Sequence, residues 1–249
     1  MELNNNERID DLEFNGYKII QNSDGFCFGI DAVLLSDFAK NIKNESTVID
    51  LGTGTGILPI LLSGKTKLKN IVGVEIQEEV ANMAKRSVEL NNLQGKISIL
   101  NDSILNLEKI YGKEYFDVVV TNPPYKKLNT GIQNENEKKL ISRHEITANL
   151  EDFIKISKSI LKDKGEFYMV HRPERLVEII YLMRKYKIVP KLIKFVSPNI
   201  KKEPNLVLIK GIKNANEFLK FEKNLYVYNE DGSYTDEILE IYNKKKEEK

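Results

Sequence analysis

From about residue 47 to about residue 187, short apolar runs rich in β-branched residues alternate with runs of helical period. That alternation is the mark of a mostly parallel sheet covered by helices on both faces. Thr47–Leu51, Asn70–Glu75, Lys96–Leu100, Phe116–Thr121 and Glu166–Val170 read as buried strands, because they are short, apolar and rich in Val, Ile and aromatics. Between them, Glu78–Asn92 sets Val80, Met83, Ala84 and Val88 on one stripe, and Glu151–Lys162 aligns Phe153, Ile154, Ser157, Ile160 and Leu161. Asp163-Lys164-Gly165 reads as the stop of that second helix. Pro173 stands where a first helical turn tolerates proline, ahead of an amphipathic run through Leu176, Ile179, Ile180 and Met183. The last two strands, Ile188–Val196 and Asn205–Ile209, are joined by a connection too short for a helix, so they must form an antiparallel hairpin. The expected fold class is therefore α/β, with a seven-stranded, mostly parallel sheet whose last strand is antiparallel.

Length and composition narrow the functional classes. A chain of 249 residues, 41% hydrophobic and 30% charged, can bury a core without staples and is neither fibrous nor disordered. The lone Cys27 cannot form an intramolecular disulfide, and no Cys/His cluster suggests a zinc site, so no metal is expected and the reducing cytoplasm is the expected compartment. The start MELNNNERID is no signal peptide, and no apolar run approaches ~18 residues, so no membrane partner is expected. The sequence divides into an extended and helical segment, 1–46, expected to cover the active site; a central domain, 47–213; and a short C-terminal extension, 214–249.

The net charge of +1 conceals an asymmetry. Residues 126–213 carry 20 Lys and Arg against 10 Asp and Glu, a net of +10, while the remainder carries 18 against 27, a net of −9. Such a split suits a polyanion-facing side on an otherwise acidic protein. Codon drift is the competing explanation, since the chain holds 32 Lys to 6 Arg and 25 Asn.

Two loops carry chemistry. Val48-Ile-Asp-Leu-Gly-Thr-Gly-Thr-Gly56 leaves the first buried strand and turns into the helical run Ile57–Leu62. Its glycines let backbone approach a ligand, and the helix start presents N–H groups. The dinucleotide fingerprint needs a glycine at position 57, where this chain has Ile57. Glu75 ends the next strand about 20 residues further on, where an acidic side chain holds a ribose. By itself this loop separates a nicotinamide dinucleotide from S-adenosylmethionine poorly.

The second loop, Asn122-Pro123-Pro124-Tyr125, continues directly from the strand Phe116–Thr121. In open α/β sheets ligands sit beyond the carboxyl ends of strands, so both loops open on one crevice. Two prolines fix φ and remove two N–H donors, leaving a stiff turn that projects an amide and carbonyl oxygens. A conjugated amine is a poor nucleophile because its lone pair is delocalised. The Asn122 side-chain oxygen and the Pro123 carbonyl can accept its two N–H bonds and favour a pyramidal nitrogen. Both bonds strengthen as positive charge develops. Tyr125 offers a ring on which a flipped base can stack.

Together these loops resemble class I S-adenosylmethionine-dependent methyltransferases of the amino-methylating type, which pair an acidic-hydrophobic-Gly-x-Gly-x-Gly loop with (D/N/S)-P-P-aromatic after the fourth strand. The resemblance implies a Rossmann-like sheet and S-adenosyl-L-methionine as cofactor. It also implies that Asp50, Gly52, Gly54 and Gly56 line the methionine end, Glu75 the ribose and Asp102 the adenine amino group, with Asn122, Pro123 and Tyr125 as catalytic residues. Release-factor glutamine methyltransferases carry a long helical domain ahead of the glycine loop, whereas here 46 mostly extended residues precede the first strand, so that family is the less favoured alternative. The segment Phe28-Gly-Ile-Asp31-Ala-Val-Leu-Leu35, with the late Tyr226 and Glu230-Asp-Gly-Ser-Tyr-Thr235, resembles the bacterial valine-tRNA adenine-37 N6-methyltransferase family over nearly the full length. Ile30 departs from the usual Thr. The resemblance puts Phe28 and Asp31 near the methyl donor and target base, while Asp31 could equally serve as a helix N-cap.

The implied activity is methyl transfer to N6 of adenine in tRNA by a chain expected to act as a monomer. Guanine-N2 methylation of ribosomal RNA is the alternative among enzymes, and a catalytically silent RNA or cofactor binder the alternative among non-enzymes. Lys126, Lys127, Lys138, Lys139 and Arg143 lie in the polar stretch 126–149 that begins directly after Tyr125; Arg172, Arg175, Lys201 and Lys202 follow strand ends or lie in the late hairpin. These are the expected phosphate contacts. His144 and His171 lack Cys, Ser or ligand company and read as surface or packing residues.

Overall fold

A computed structural model of the chain describes residues 3–23, 29–125 and 148–244. The order of elements is a hairpin of β1 (Glu7–Asp11) and β2 (Lys18–Asn22), then α1 (Ile30–Phe38), β3 (Thr47–Leu51), α2 (Ile57–Lys65), β4 (Asn70–Glu75), α3 (Glu78–Leu90) and β5 (Ile97–Asn101). A 3-10 turn leads to α4 (Leu107–Tyr111), followed by β6 (Phe116–Thr121), α5 (Leu150–Ile160), β7 (Leu161–His171), α6 (Leu176–Lys185), β8 (Ile188–Ser197) and β9 (Leu206–Lys213). Two short strands, β10 (Lys220–Phe221) and β11 (Leu225–Tyr226), precede α7 (Asp236–Ile241).

The main sheet runs β8-β9-β7-β6-β3-β4-β5, with β10 and β11 added parallel to β8 at its free edge. Among the described strands of this sheet only β9 runs against its neighbours, β7 and β8. The seven expected strands are all present in the expected sense, and the order reverses between β3 and β6, where a ligand crevice opens in such sheets.

Each strand alternates between two cores. Val48, Ile71, Val118, Val120, Tyr168, Val170 and Leu208 face a layer containing α1, α2 and the C-terminal α7. Ile49, Val72, Val119, Phe167, Met169, Val207 and Ile209 face the layer of α4, α5 and α6. Successive strand side chains point to opposite faces, so a strand apolar at every position must be covered twice. This is why the runs read as continuous rather than alternating.

Two boundaries differ from expectation. The helix expected through Lys162 ends at Ile160, and β7 begins at once: Leu161 pairs with Phe116, four residues bulge out, and pairing resumes at Val118 with Glu166. Lys164 takes a left-handed φ of 58° in that bulge, so Asp163-Lys164-Gly165 is an irregularity inside a strand rather than a helix exit. Asp31 is not the cap of α1. Gly29 occupies that position, and Asp31 falls in the first turn.

The N-terminal hairpin is held on α3 by a two-pronged ion pair, Arg86 Nη1 to Glu7 Oε2 at 2.7 Å and Nη2 to Oε1 at 2.5 Å. The guanidinium holds the Glu7 carboxyl down to about 2. Among the described residues no helix is long and apolar enough to cross a membrane.

Candidate active site

Four strand ends build the site. The glycine loop leaves β3 and folds over the end of β4, with Gly52 N and Thr53 N donating to Val74 O at 3.0 and 2.9 Å. Gly52, Gly54 and Gly56 all take positive φ, at 73°, 56° and 88°, a conformation that L side chains rarely adopt. Glu75, at the end of β4, accepts from Gly54 N through Oε2 at 3.1 Å and from Gln77 N through Oε1 at 2.9 Å. Asp102, just past β5, donates its N–H to Glu75 O at 3.2 Å. Its carboxylate accepts from Ser103 N and Asn106 Nδ2 at 2.6 and 2.7 Å. Asp50, Glu75 and Asp102 thus line one edge of the crevice.

Asp50 stands out electrostatically. Among the described residues its Oδ1 is buried with no hydrogen-bond partner, and burial, with the charge of Glu75 adding, pushes its carboxyl up to about 7. An anionic oxygen without a donor is costly unless a cationic or hydrogen-bonding group completes it. Beside it none of the described residues lies within 4 Å of where a Gly54 side chain would begin. An open cradle of backbone ringed by carboxylates suits a ligand with an ammonium and a ribose, and therefore fits S-adenosylmethionine.

The second loop lies alongside. Thr121, the last residue of β6, donates its hydroxyl to Leu51 O at 2.9 Å, which joins the two strand ends from which both loops depart. Asn122 Nδ2 donates to Asp31 Oδ2 at 3.1 Å, and the Tyr125 hydroxyl donates to the same oxygen at 2.6 Å. Burial, with the Asp31 charge next, drives the Tyr125 phenol above its ordinary range, so it stays a donor. The Arg172 guanidinium lies over the Tyr125 ring, 5.1 Å from its centroid, and the His171 ring sits at 5.1 Å, tilted by 55°.

His171, expected as a surface or packing residue, and Arg175, expected as a phosphate contact, both lie against Tyr125. His171 is fully buried at the end of β7, and its Nδ1 accepts from Arg172 N at 2.7 Å. Burial, with the charge of Arg175 adding, pushes it down to about 4. The ring is therefore neutral at physiological pH and adds no positive charge beside the site. Arg175 Nη1 reaches Tyr125 O at 3.5 Å. The signal that could have flagged His171 is its position at a strand terminus next to β6, where ligands gather in this sheet.

The expected site residues thus separate into three groups. Asp50, the three glycines, Glu75, Asp102, Asp31, Asn122, Pro123 and Tyr125 share the carboxyl edge of the sheet. Arg172 lies beside them and donates Nη1 to Asn205 O at 2.9 Å, where the β8–β9 turn ends. Lys201 and Lys202 are exposed in that turn, with Lys201 paired to Glu230 at 2.9 Å. Phe28, Lys126, Lys127, Lys138, Lys139 and Arg143 lie outside the described residues. Among the described residues no group of three or more His, Cys, Asp or Glu side chains is placed to hold a metal ion.

Comparison with known proteins agrees with this geometry. The family model "Methyltransferase small domain" matches residues 29–189, from the glycine before α1 into β8. The chain belongs to the methyltransferase small domain family. As a methyltransferase of this fold it is an enzyme that uses S-adenosylmethionine. Among its relatives is the tRNA1(Val) (adenine(37)-N6)-methyltransferase of Porphyromonas gingivalis, 26% identical over 239 residues and aligned over 93% of each chain. Among solved structures, a predicted O-methyltransferase from Agrobacterium tumefaciens superposes with a TM-score of 0.68 at 21% identity, covering 86% of this chain and 95% of the other. A 16S rRNA N2 methyltransferase from T. thermophilus, solved with S-adenosylmethionine and guanosine, gives 0.60 at 18% identity, covering 86% and 52%. These two structural likenesses bear on the fold of the methyltransferase small domain, not on its substrate.

Proposed function

We propose that this methyltransferase transfers a methyl group from S-adenosylmethionine to the exocyclic N6 of adenine in tRNA, with adenine 37 of valine tRNA as the target. The observation that carries the reading is the union of the two loops through Thr121 and Leu51, which sets an amide acceptor beside the cofactor cradle. The near full-length likeness to the P. gingivalis enzyme supports the choice of substrate. Residues 1–46 would cover the site, 47–213 would carry the chemistry and 214–249 would extend the sheet edge. A tRNA substrate would place the enzyme in the cytoplasm.

When bound, the cofactor supplies an electrophilic methyl group on a sulfonium. Asp50 would hold the ammonium of its methionine part, Glu75 the ribose hydroxyls and Asp102 the adenine amino group. Asn122 Oδ1 and Pro123 O would accept the two N–H bonds of the target amine and aim its lone pair at the methyl. A C–N bond forms as the S–C bond breaks, and the nitrogen becomes cationic. It then loses one proton to solvent, so no strong general base is needed. Tyr125 and the guanidinium of Arg172 would flank the flipped base.

Guanine N2 in ribosomal RNA offers the same pair of N–H donors and is the alternative target. The deciding experiment incubates the purified chain and S-adenosylmethionine with unmodified valine tRNA, other tRNAs and ribosomal RNA, followed by nucleoside mass spectrometry. N6-methyladenosine confined to valine tRNA is the expected result. N2-methylguanosine, or no methylation of any RNA, would overturn the reading.

A further inference from the structure

We infer that Asp31 is a positioning residue for methyl transfer: its carboxylate sets the orientation of the Asn122 amide and pins the Tyr125 hydroxyl, so that a segment 91 residues upstream prepares the acceptor loop. The inference deepens the proposed function and rests on it, because it assigns Asp31 an effect exerted through Asn122.

An amide side chain has two nearly isosteric ends, and only one can accept the amine of a substrate. A carboxylate oxygen accepts and has no proton to give, so the end of Asn122 that meets Asp31 at 3.1 Å must be its NH2 group. Oδ1 is thereby turned away from the carboxylate, as the acceptor that the amine needs. Without Asp31 either end could face the amine, and the inverted amide would present a donor to a donor. The same Oδ2 takes the Tyr125 hydroxyl at 2.6 Å, so one oxygen holds the first and last residues of the Asn122–Tyr125 turn.

The local sequence makes room for this arrangement. The Asp31 carboxylate folds back over the start of α1, with Oδ1 accepting from Ala32 N at 3.0 Å. A side chain at Gly29 would begin 2.9 Å from Oδ1, closer than real Cβ contacts come. The glycine two residues before the aspartate therefore has a steric reason that owes nothing to turn formation, since its φ of −100° suits any residue. Asp31 is 8% exposed, and its hydrogen-bond partners among the described residues, Ala32 N, Asn122 Nδ2 and the Tyr125 hydroxyl, are all uncharged. An anionic oxygen one amide away from the reacting nitrogen complements the positive charge formed there, which acts in the transition state more than in the ground state.

The test is a mutant cycle on single-turnover methylation of the RNA substrate at saturating cofactor and RNA, with S-adenosylhomocysteine affinity measured beside it. Asp31→Asn keeps the size but puts an NH2 group against either Ala32 N or the acceptor loop. Asp31→Ala removes the carboxylate. Both variants should lower the rate about tenfold or more, by analogy with losing a preorganised hydrogen-bonding partner. Cofactor affinity should stay within about threefold. The combined loss in Asp31→Ala with Asn122→Ala should fall at least severalfold short of the product of the single losses, because the first residue acts through the second. In 15N-labelled protein the Asn122 side-chain amide resonance, assigned by its disappearance in Asn122→Ala, should move in Asp31→Asn. Wild-type rates in both Asp31 variants, fully multiplicative losses, an unmoved amide resonance, or a loss carried entirely by cofactor affinity would each overturn the inference. Unchanged turnover in Asn122→Ala alone would instead refute the role of Asn122 in the proposed function.

Discussion

Asp50→Asn is the perturbation whose consequences follow most directly from the electrostatics. With its carboxyl raised from 3.8 to about 7, Asp50 is about one tenth ionised at pH 6 and half ionised at pH 7. If the ionised form receives the ammonium of the cofactor, affinity should track that fraction. Isothermal calorimetry with S-adenosylhomocysteine should then show binding about fivefold tighter at pH 7 than at pH 6, with net proton release measurable by changing the buffer. The free protein should show the opposite trend. An acid with a raised folded-state value favours folding fully below its unfolded value and loses that contribution as pH rises through the folded one. Stability should therefore fall between about pH 4 and pH 7, by at most about 4 kcal/mol, which is three pH units at about 1.4 kcal/mol each. Asp50→Asn has no proton to lose and should flatten both profiles. Equal affinity at pH 6 and pH 7 in the wild type, or the same pH slope in Asp50→Asn, would refute the assignment.

Three further outcomes are expected. Asn122→Ala should lower the single-turnover rate about 10²-fold or more while S-adenosylhomocysteine still binds, in line with the loss of one preorganised transition-state partner; stopped or quenched-flow assays with labelled methyl groups would read it. Replacing Lys201 and Lys202 together by alanine should weaken tRNA binding similarly for all sequences and reduce the slope of log K against log salt by about one to two, as expected for up to two lost phosphate contacts; an unchanged slope would leave that part of the basic excess to codon drift. Arg86→Met should leave Glu7 without its guanidinium and cost about 2 kcal/mol or more, somewhat below a fully buried pair because Arg86 keeps 16% of its side chain exposed. Hydrogen exchange should locate that loss in the β1–β2 hairpin.

The parts legible in the sequence are those governed by short spacings. Thr47–Leu51, Asn70–Glu75 and Phe116–Thr121 were readable to the residue, because a strand buried on both faces must be apolar at consecutive positions and stops where that need stops. The break at Lys164 was misread because a helix exit and a strand bulge both use a left-handed residue beside a glycine. Only the pairing of Leu161 with Phe116 distinguishes them. For Asp31 the resemblance pointed to the site while the local sequence equally allowed an N-cap, the common role of a carboxylate at a helix start; only the structure shows Gly29 in that position.

The amino-acid sequence by itself determined the α/β class, through the alternation of runs along the chain, and the glycine cradle and the rigid Asn122–Tyr125 turn, each set by residues within about a dozen positions of one another, and hence the type of chemistry. The tertiary structure alone decided that Asp31 meets Asn122 and Tyr125 across 91 and 94 residues, and that His171 and Arg172 close around the same ring. It also decided that the chain after β9 returns to the free edge of β8. Those contacts follow from which strands lie side by side. Strand order comes from the packing of helices on two faces of a twisted sheet, so it is a property of the whole core and of no local spacing.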